Sequence, residues 1–216
     1  MNTNIEFART QMVNQQVRTW DVLDPAILAV LGTVPREQFV PARYRALAFA
    51  DTCIPLPGGQ FMLAPKLEGR LLQALSPAAG ERILEVGTGS GFMTACLAAL
   101  GGAVTSLEIL PELASTARTR LAGYRGVEVQ NLDVFDFMPV GRFDVIALTG
   151  SLPVYDRRFE DWLAPGGRLF VVTGIAPQMA AQLVRRLDEH EWATEVLLET
   201  VVPPLRNAPG HPAFTF

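Results

Sequence analysis

The stretch Glu81-Arg82-Ile83-Leu84-Glu85-Val86-Gly87-Thr88-Gly89-Ser90-Gly91-Phe92 constrains this chain more than any other. A short apolar run, Ile83 to Val86, leads into glycines at alternate positions and then into the helical run Met93 to Leu100, which reads as strand, tight turn, helix. Alternating glycines let the backbone turn sharply and come close to a ligand with no side chain between them. The start of the following helix offers unpaired N–H groups to that ligand. A nucleotide-like cofactor is the natural occupant.

Spacing separates two classes of such cofactor. The dinucleotide fingerprint is Gly-x-Gly-x-x-Gly, with a pyrophosphate at the helix start. Here the third glycine comes one residue early, and the strand ends in a carboxylate, Glu85, which suits a ligand bearing positive charge. S-adenosylmethionine carries an ammonium and a sulfonium and no phosphate. Glu108 follows the next apolar run, Ala103 to Leu107, at the place where an acidic residue accepts hydrogen bonds from ribose hydroxyls. The expected cofactor shell is therefore Glu85, the loop Gly87, Thr88, Gly89, Ser90 and Gly91, and Glu108. Asp133, just past a third strand, is placed to accept from an adenine amino group.

With 216 residues, 49% of them hydrophobic, the chain is long enough for one domain with a sizeable core. We divide residues 1–216 into a helical and loop segment, 1–79, and a cofactor-binding α/β core with C-terminal strand and tail, 80–216. The formal net charge of -4 argues against nucleic acid as partner, because phosphate backbones call for a basic face. Cys53 and Cys96 stand in no metal-ligand spacing, which fits a reduced, cytoplasmic protein. Met1 to Thr10 lacks the pattern of a secretory signal, and no apolar run reaches membrane-spanning length. His190 and His211, the two histidines, lie away from any expected strand tip and read as surface residues. That disfavours a Ser-His-Asp hydrolase and a zinc enzyme.

Along the chain, helices are expected over Glu6–Arg18, over Pro25–Thr33 behind the cap Asp24, and over Tyr44–Ala50. Ile54 to Pro65 is a kinked loop rich in Pro and Gly, followed by an amphipathic helix over Lys66–Leu75. Then strands over Arg82–Val86, Ala103–Leu107, Val127–Gln130, Phe143–Gly150 and Arg168–Val172 alternate with helices over Phe92–Leu100, Glu112–Tyr124 and Arg157–Leu163. This alternation implies a doubly wound, mostly parallel sheet, a Rossmann-like α/β fold with an N-terminal helical extension. Pro165-Gly166-Gly167 reads as a turn, Pro177–Asp188 as a helix, Ala193–Val201 as a strand, and Pro203–Phe216 as an irregular surface tail. The tip Thr149, Gly150 and Ser151 should face the cofactor's reactive end.

Taken together, these motifs resemble the S-adenosylmethionine-dependent protein-L-isoaspartate O-methyltransferase family over nearly the whole chain. Met12-Val13 with Gln15 or Gln16, Val22-Leu23-Asp24, Ile27-Leu28, and Val34-Pro35-Arg36-Glu37 with Phe39-Val40 are similar to its N-terminal segment. Glu85 to Gly91 is similar to its cofactor loop, and Phe143-Asp144-Val145-Ile146, Pro165-Gly166-Gly167 and Pro204-Leu205 continue the match in order. The resemblance implies methyl transfer from S-adenosylmethionine to a carboxylate of isomerised aspartate in proteins, a protein-repair reaction. Such an acceptor has a pKa near ~4 and is ionised at neutral pH, so no strong base is needed.

The chain departs from the family's pattern in its substrate loop, where Leu63 stands at the place of a substrate-contacting serine. Thr149 and Ser151 are candidate replacements for that hydroxyl, and Phe61, Met62 and Leu63 form the expected substrate pocket. Leu132-Asp133-Val134 replaces a Gly-Asp-Gly. Three readings stay open: an isoaspartyl methyltransferase, a methyltransferase of the same fold with a more apolar acceptor, and a non-catalytic cofactor-binding module. The partner is accordingly a protein, a peptide or a small-molecule carboxylate, and the sequence does not give the oligomeric state.

Overall fold

The computed structural model describes residues 2–210. A seven-stranded sheet forms its centre. Its strands are β3 (Arg82–Val86), β4 (Ala103–Glu108), β5 (Val127–Asn131), β6 (Phe143–Leu152), β7 (Leu163–Ile175), β8 (Gln178–Arg186) and β9 (Trp192–Glu199), in the order β5-β4-β3-β6-β7-β8-β9. The five strands from β5 to β7 are parallel, and β8 and β9 run antiparallel to their neighbours. The order reverses about β3, so the crevice beyond the carboxyl ends of β3 and β6 is where a ligand of such a sheet belongs.

Before the sheet come the helices α1 (Asn2–Gln11), α2 (Pro25–Thr33) and α3 (Arg36–Phe39), the small hairpin of β1 (Ile54–Pro55) and β2 (Phe61–Met62), and α4 (Pro65–Leu75). Within the sheet region the helices are α5 (Phe92–Ala99), α6 (Pro111–Leu121) and α7 (Arg158–Asp161). α1 runs on into a π-helical turn, Met12–Val17, and ends at Asp21 in the left-handed region. Asp24 caps α2 by accepting from the Ala26 N–H at 2.8 Å, as its sequence position predicts.

Side-chain alternation divides the core. Ile83 belongs to the layer shared with α4, α5 and α6, whereas Leu84 and Val86 face the layer containing Phe159 and Leu163. The first layer also takes in Met12, Val17, Ile27 and Leu31, so the N-terminal helices pack into the same apolar cluster as the sheet's own helices.

Five expectations need correction. Residues 177–188 do not form a helix: β8 occupies most of that span and pairs with both β7 and β9. Met179, Leu183 and Leu187 have helical spacing, yet the buried positions are Met179, Ala181 and Leu183, and Leu187 is exposed. A two-sided ladder of hydrogen bonds outweighs the helix propensity of this Ala- and Leu-containing segment. The helix expected over 157–163 shortens to α7, and Pro165-Gly166-Gly167 lies inside β7 as an irregularity rather than a turn between elements. The sheet pairing shifts register there, and Gly166 supplies a positive φ of 78°.

β6 also runs past Gly150 through Ser151 to Leu152. Finally, the tail is not wholly irregular: Pro204 bridges Ser151 in parallel, the Ser151 N–H donates to the Pro203 carbonyl, and the Leu205 N–H donates to the Ser151 carbonyl, both at 2.9 Å. Residues 203–206 thus lie beside β6. His190 is exposed, as expected, and His211 lies outside the described residues.

Candidate active site

The glycine loop is shaped by what a side chain would strike. Gly87 has φ +93°, and a Cβ built there would lie 2.4 Å from Thr149 Oγ1. Gly91 has φ +88° at the start of α5, where a Cβ would press on Leu121 at 3.2 Å. Only glycine takes both the conformation and the space. The loop is then tied down by its neighbours. Thr149 Oγ1 donates to the Gly87 carbonyl, 2.6 Å away, and lies 3.0 Å from that of Val86. The Gly89 N–H donates to Glu108 Oε2 at 2.8 Å, while Glu108 Oε1 accepts from the Leu110 N–H at 2.9 Å. Arg120 Nη1 donates to the carbonyls of Ser90, at 3.1 Å, and Phe39, at 2.8 Å.

A cavity of about 440 Å³ opens beyond these strand ends, within the roughly 300–1,000 Å³ usual for small-molecule sites. Gly87, Gly89, Glu108, Asp133 and Thr149 line it from the sheet side. Phe61 and Leu63 line it from the substrate loop, and Thr200 to Arg206 close a further wall. A smaller recess of about 30 Å³ next to it is bordered by Met62, Thr88 and Ser90. The structure therefore brings Gly87 and Gly89, the two acids Glu108 and Asp133, and Phe61 and Leu63 around one space, with Met62, Thr88 and Ser90 on the adjoining recess and Gly91 on neither.

Glu85 and Ser151 do not reach that space. Glu85 shares the Ile83 face of β3, is fully buried, and accepts from Thr94 at 2.5 Å and Ser106 at 2.6 Å. Ser106 in turn shares a 2.6 Å hydrogen bond with Thr88. Burial pushes the Glu85 carboxyl up to about 7, the Ser106 and Thr94 hydroxyls oppose the rise, and the nearby Glu108 charge adds to it. Glu85 thus supports the loop from beneath rather than facing a ligand. Ser151 is buried and donates to the Val202 carbonyl at 2.7 Å, so its hydroxyl fastens the tail to β6. Thr149 does line the cavity, with its hydroxyl committed to the glycine loop. Asp133 accepts from its own Phe135 N–H at 2.9 Å and from Asn207 at 2.7 Å.

Sequence reasoning did not assign a role to Arg36. It is fully buried, donates from Nε to the Ala48 carbonyl and from Nη2 to the Leu63 carbonyl, each at 2.8 Å, and pairs with the buried Glu68. Its guanidinium also stacks over Phe92, 4.8 Å from the ring centroid. The motif Val34-Pro35-Arg36-Glu37 flagged the residue, although only the fold shows that it holds the substrate loop. Lys66, Cys53 and the tail residues Pro203 to Arg206 also line the cavity; of these only Pro204-Leu205 stands out in the sequence, as part of the family resemblance and without a role.

A Rossmann-like sheet whose switch-point crevice joins a side-chain-free loop and two acids to a second, apolar loop defines the class as an S-adenosylmethionine-dependent methyltransferase. The family model of protein-L-isoaspartate(D-aspartate) O-methyltransferase matches residues 8–207. Protein-L-isoaspartate O-methyltransferase 2 of Pelobacter propionicus is 35% identical over 96% of this chain and 94% of its own length. Protein-L-isoaspartate O-methyltransferase 1 of Rhodopseudomonas palustris is 38% identical over 96% of this chain and 86% of its own. The chain belongs to the protein-L-isoaspartate O-methyltransferase family. A crystal structure of a Plasmodium falciparum protein described as such a methyltransferase, in complex with S-adenosyl-L-homocysteine, superposes with a TM-score of 0.79. At 17% identity over 92% of this chain and 98% of that one, the likeness bears on the fold.

Proposed function

We propose that this chain methylates the free carboxylate of isoaspartyl residues in damaged proteins. The observation that carries this reading is that Gly87 and Gly89 with Glu108 and Asp133, and Phe61 and Leu63 of the substrate loop, are walls of one cavity. In it, Gly87 and Gly89 leave bare backbone for a ligand to lie against, Glu108 would accept from the ribose hydroxyls of the cofactor, and Asp133 would accept from its adenine. S-adenosylmethionine supplies a methyl on a sulfonium, which leaves as a neutral thioether when an oxygen of the acceptor carboxylate bonds to that methyl.

The residues around the acceptor have no proton to remove, since a carboxylate is already ionised at neutral pH. Their task is alignment and exclusion of water. Phe61, Leu63 and Leu205 provide apolar walls for that purpose, and Arg36 fixes the loop bearing Leu63 through its carbonyl. The unbridged Cys53 and Cys96 support a reducing, cytoplasmic setting. Among the described residues, no helix is long and apolar enough to cross a membrane.

The test is transfer of labelled methyl from S-adenosylmethionine to an isoaspartyl peptide, with the label released by mild base as methanol. Label should appear on that peptide and be absent from the aspartyl isomer. No transfer at saturating cofactor would refute the reading.

A further inference from the structure

An anionic acceptor needs a partner in a cavity whose substrate loop presents Phe61 and Leu63, neither of which can hydrogen-bond through its side chain, and Gln60, whose amide nitrogen already donates to the Gly58 carbonyl at 3.2 Å. Two cationic side chains line the cavity, Lys66 and Arg206. Arg206 donates from Nη2 to the Gly58 carbonyl at 2.8 Å and so holds the turn of the small hairpin. Lys66 sits three residues beyond Leu63, in the first turn of α4. A cation in a helix's first turn opposes the helix dipole, and this is the chain's one lysine.

Its immediate surroundings offset that cost and hold the side chain in place. Nζ lies 2.8 Å from Asp51 Oδ2 and 4.3 Å from the centroid of the Trp20 ring. The Lys66 side chain keeps 30% of its accessible surface. Asp51 is the one acceptor within bonding distance of the ammonium among the described residues. An ammonium has three N–H donors, so two are free for an incoming anion. The acids of the cavity, Glu108 and Asp133, are engaged with the backbone and with Asn207 on the sheet side. The cavity is therefore polarised, with its acids at the strand ends and an anchored cation beside the substrate loop.

We infer that Lys66 is the specificity-determining residue that receives the carboxylate of the acceptor. This rests on the reading of the chain as an isoaspartyl methyltransferase. Lys66 orients the carboxylate, and the new bond is still that between a carboxylate oxygen and the methyl carbon. Asp51 and Trp20 limit its search among rotamers, and an acceptor without a negative charge leaves the two remaining N–H donors of the ammonium without an anion.

The experiment measures kcat and KM with an isoaspartyl peptide for the intact chain and for Lys66→Met, Lys66→Gln and Lys66→Arg, with thermal unfolding and cofactor binding recorded on each. Lys66→Met and Lys66→Gln should raise KM about tenfold or more, the loss expected of a hydrogen bond to a charged group. Cofactor affinity should not change, and kcat should stay within about twofold. Lys66→Arg should recover most of the lost KM. Raising the salt should increase KM for the intact chain and leave it flat for Lys66→Met. An unaltered KM in a folded, active Lys66→Gln overturns the assignment of Lys66 and leaves isoaspartyl methylation standing. An intact chain that transfers no methyl overturns both.

Discussion

Arg36, from the N-terminal helical segment, donates a hydrogen bond to the main-chain oxygen of Leu63 across a distance of 2.8 Å. A fully buried guanidinium thus fixes the height of the substrate loop above the cofactor loop, while its Nε and Nη1 donate to Ala48 and Glu68. The N-terminal segment is part of the active site's construction although only the loop it holds reaches the cavity.

Arg36→Met follows as the most informative structural substitution. It strands the Glu68 carboxylate in the core, and breaking a buried pair from one side costs about 3–5 kcal/mol. Urea denaturation should show that loss. Arg36→Met combined with Glu68→Leu should recover much of the stability, because the uncompensated charge is then gone. If the double variant is no more stable than the single one, the pair is not what the core depends on.

Gly87→Ala should disable cofactor binding with a smaller effect on folding. Its φ of +93° is unfavourable for alanine by about 1–3 kcal/mol, and its Cβ would displace the Thr149 hydroxyl that holds the loop. Calorimetry with S-adenosylhomocysteine should show affinity lost beyond what the change in melting temperature accounts for. Unchanged affinity would contradict the placement of the cofactor against this turn.

Glu108→Ala should weaken cofactor binding by about 1–3 kcal/mol through loss of charged-acceptor hydrogen bonds. Part of that loss belongs to the loop itself, since Glu108 also holds the Gly89 N–H. Glu108→Gln, which retains one carboxamide oxygen for Gly89, should fall between alanine and the native residue in a calorimetric titration. Equal losses for both variants would mean that the negative charge carries the whole effect.

Glu85 should make stability fall with rising pH. Its folded carboxyl titrates at about 7, above the ordinary value of 4.5, because burial disfavours the charged form. Below about pH 4.5 both folded and unfolded chains hold the proton and the group is neutral in effect. Between 4.5 and about 7 the unfolded chain gives up its proton first, so folding becomes less favourable, and above that window the penalty is constant. Glu85→Gln removes this dependence. Relative to the native chain, the glutamine variant should gain stability between about pH 5 and about pH 8 in parallel urea titrations. A constant difference between the two curves across that range would show that Glu85 does not titrate there.

The parallel half of the sheet was legible because buried strands leave a local mark. Val145 to Leu148 is an unbroken apolar run, and Ile83 to Val86 is apolar but for Glu85 and leads through a glycine turn into a helical stretch. The strand β8 leaves no such mark. Its buried face, Met179, Ala181 and Leu183, is defined only when β7 and β9 pair on either side, and the sequence by itself satisfies a helix as well. The same distinction governs the site. Gly87, Gly89, Glu108 and Asp133 follow strand ends, so topology alone brings them to one crevice. Ser151 and Glu85 sit at strand ends too, but side-chain direction turns them into the core, where hydroxyl and carboxylate find partners on Val202, Thr94 and Ser106. The role of Pro203 to Arg206 depends on a contact with β6 that no nearby residue announces.

That contact between Ser151 and Pro204 ties the completion of the cavity to a segment far downstream of the glycine turn. The glycine turn emerges from the ribosome first, yet one wall of the space it faces is made by Thr200 to Arg206. A nascent chain can form most of its sheet and still offer the donor molecule an open trough, and the compartment closes only after Arg206 has been synthesised.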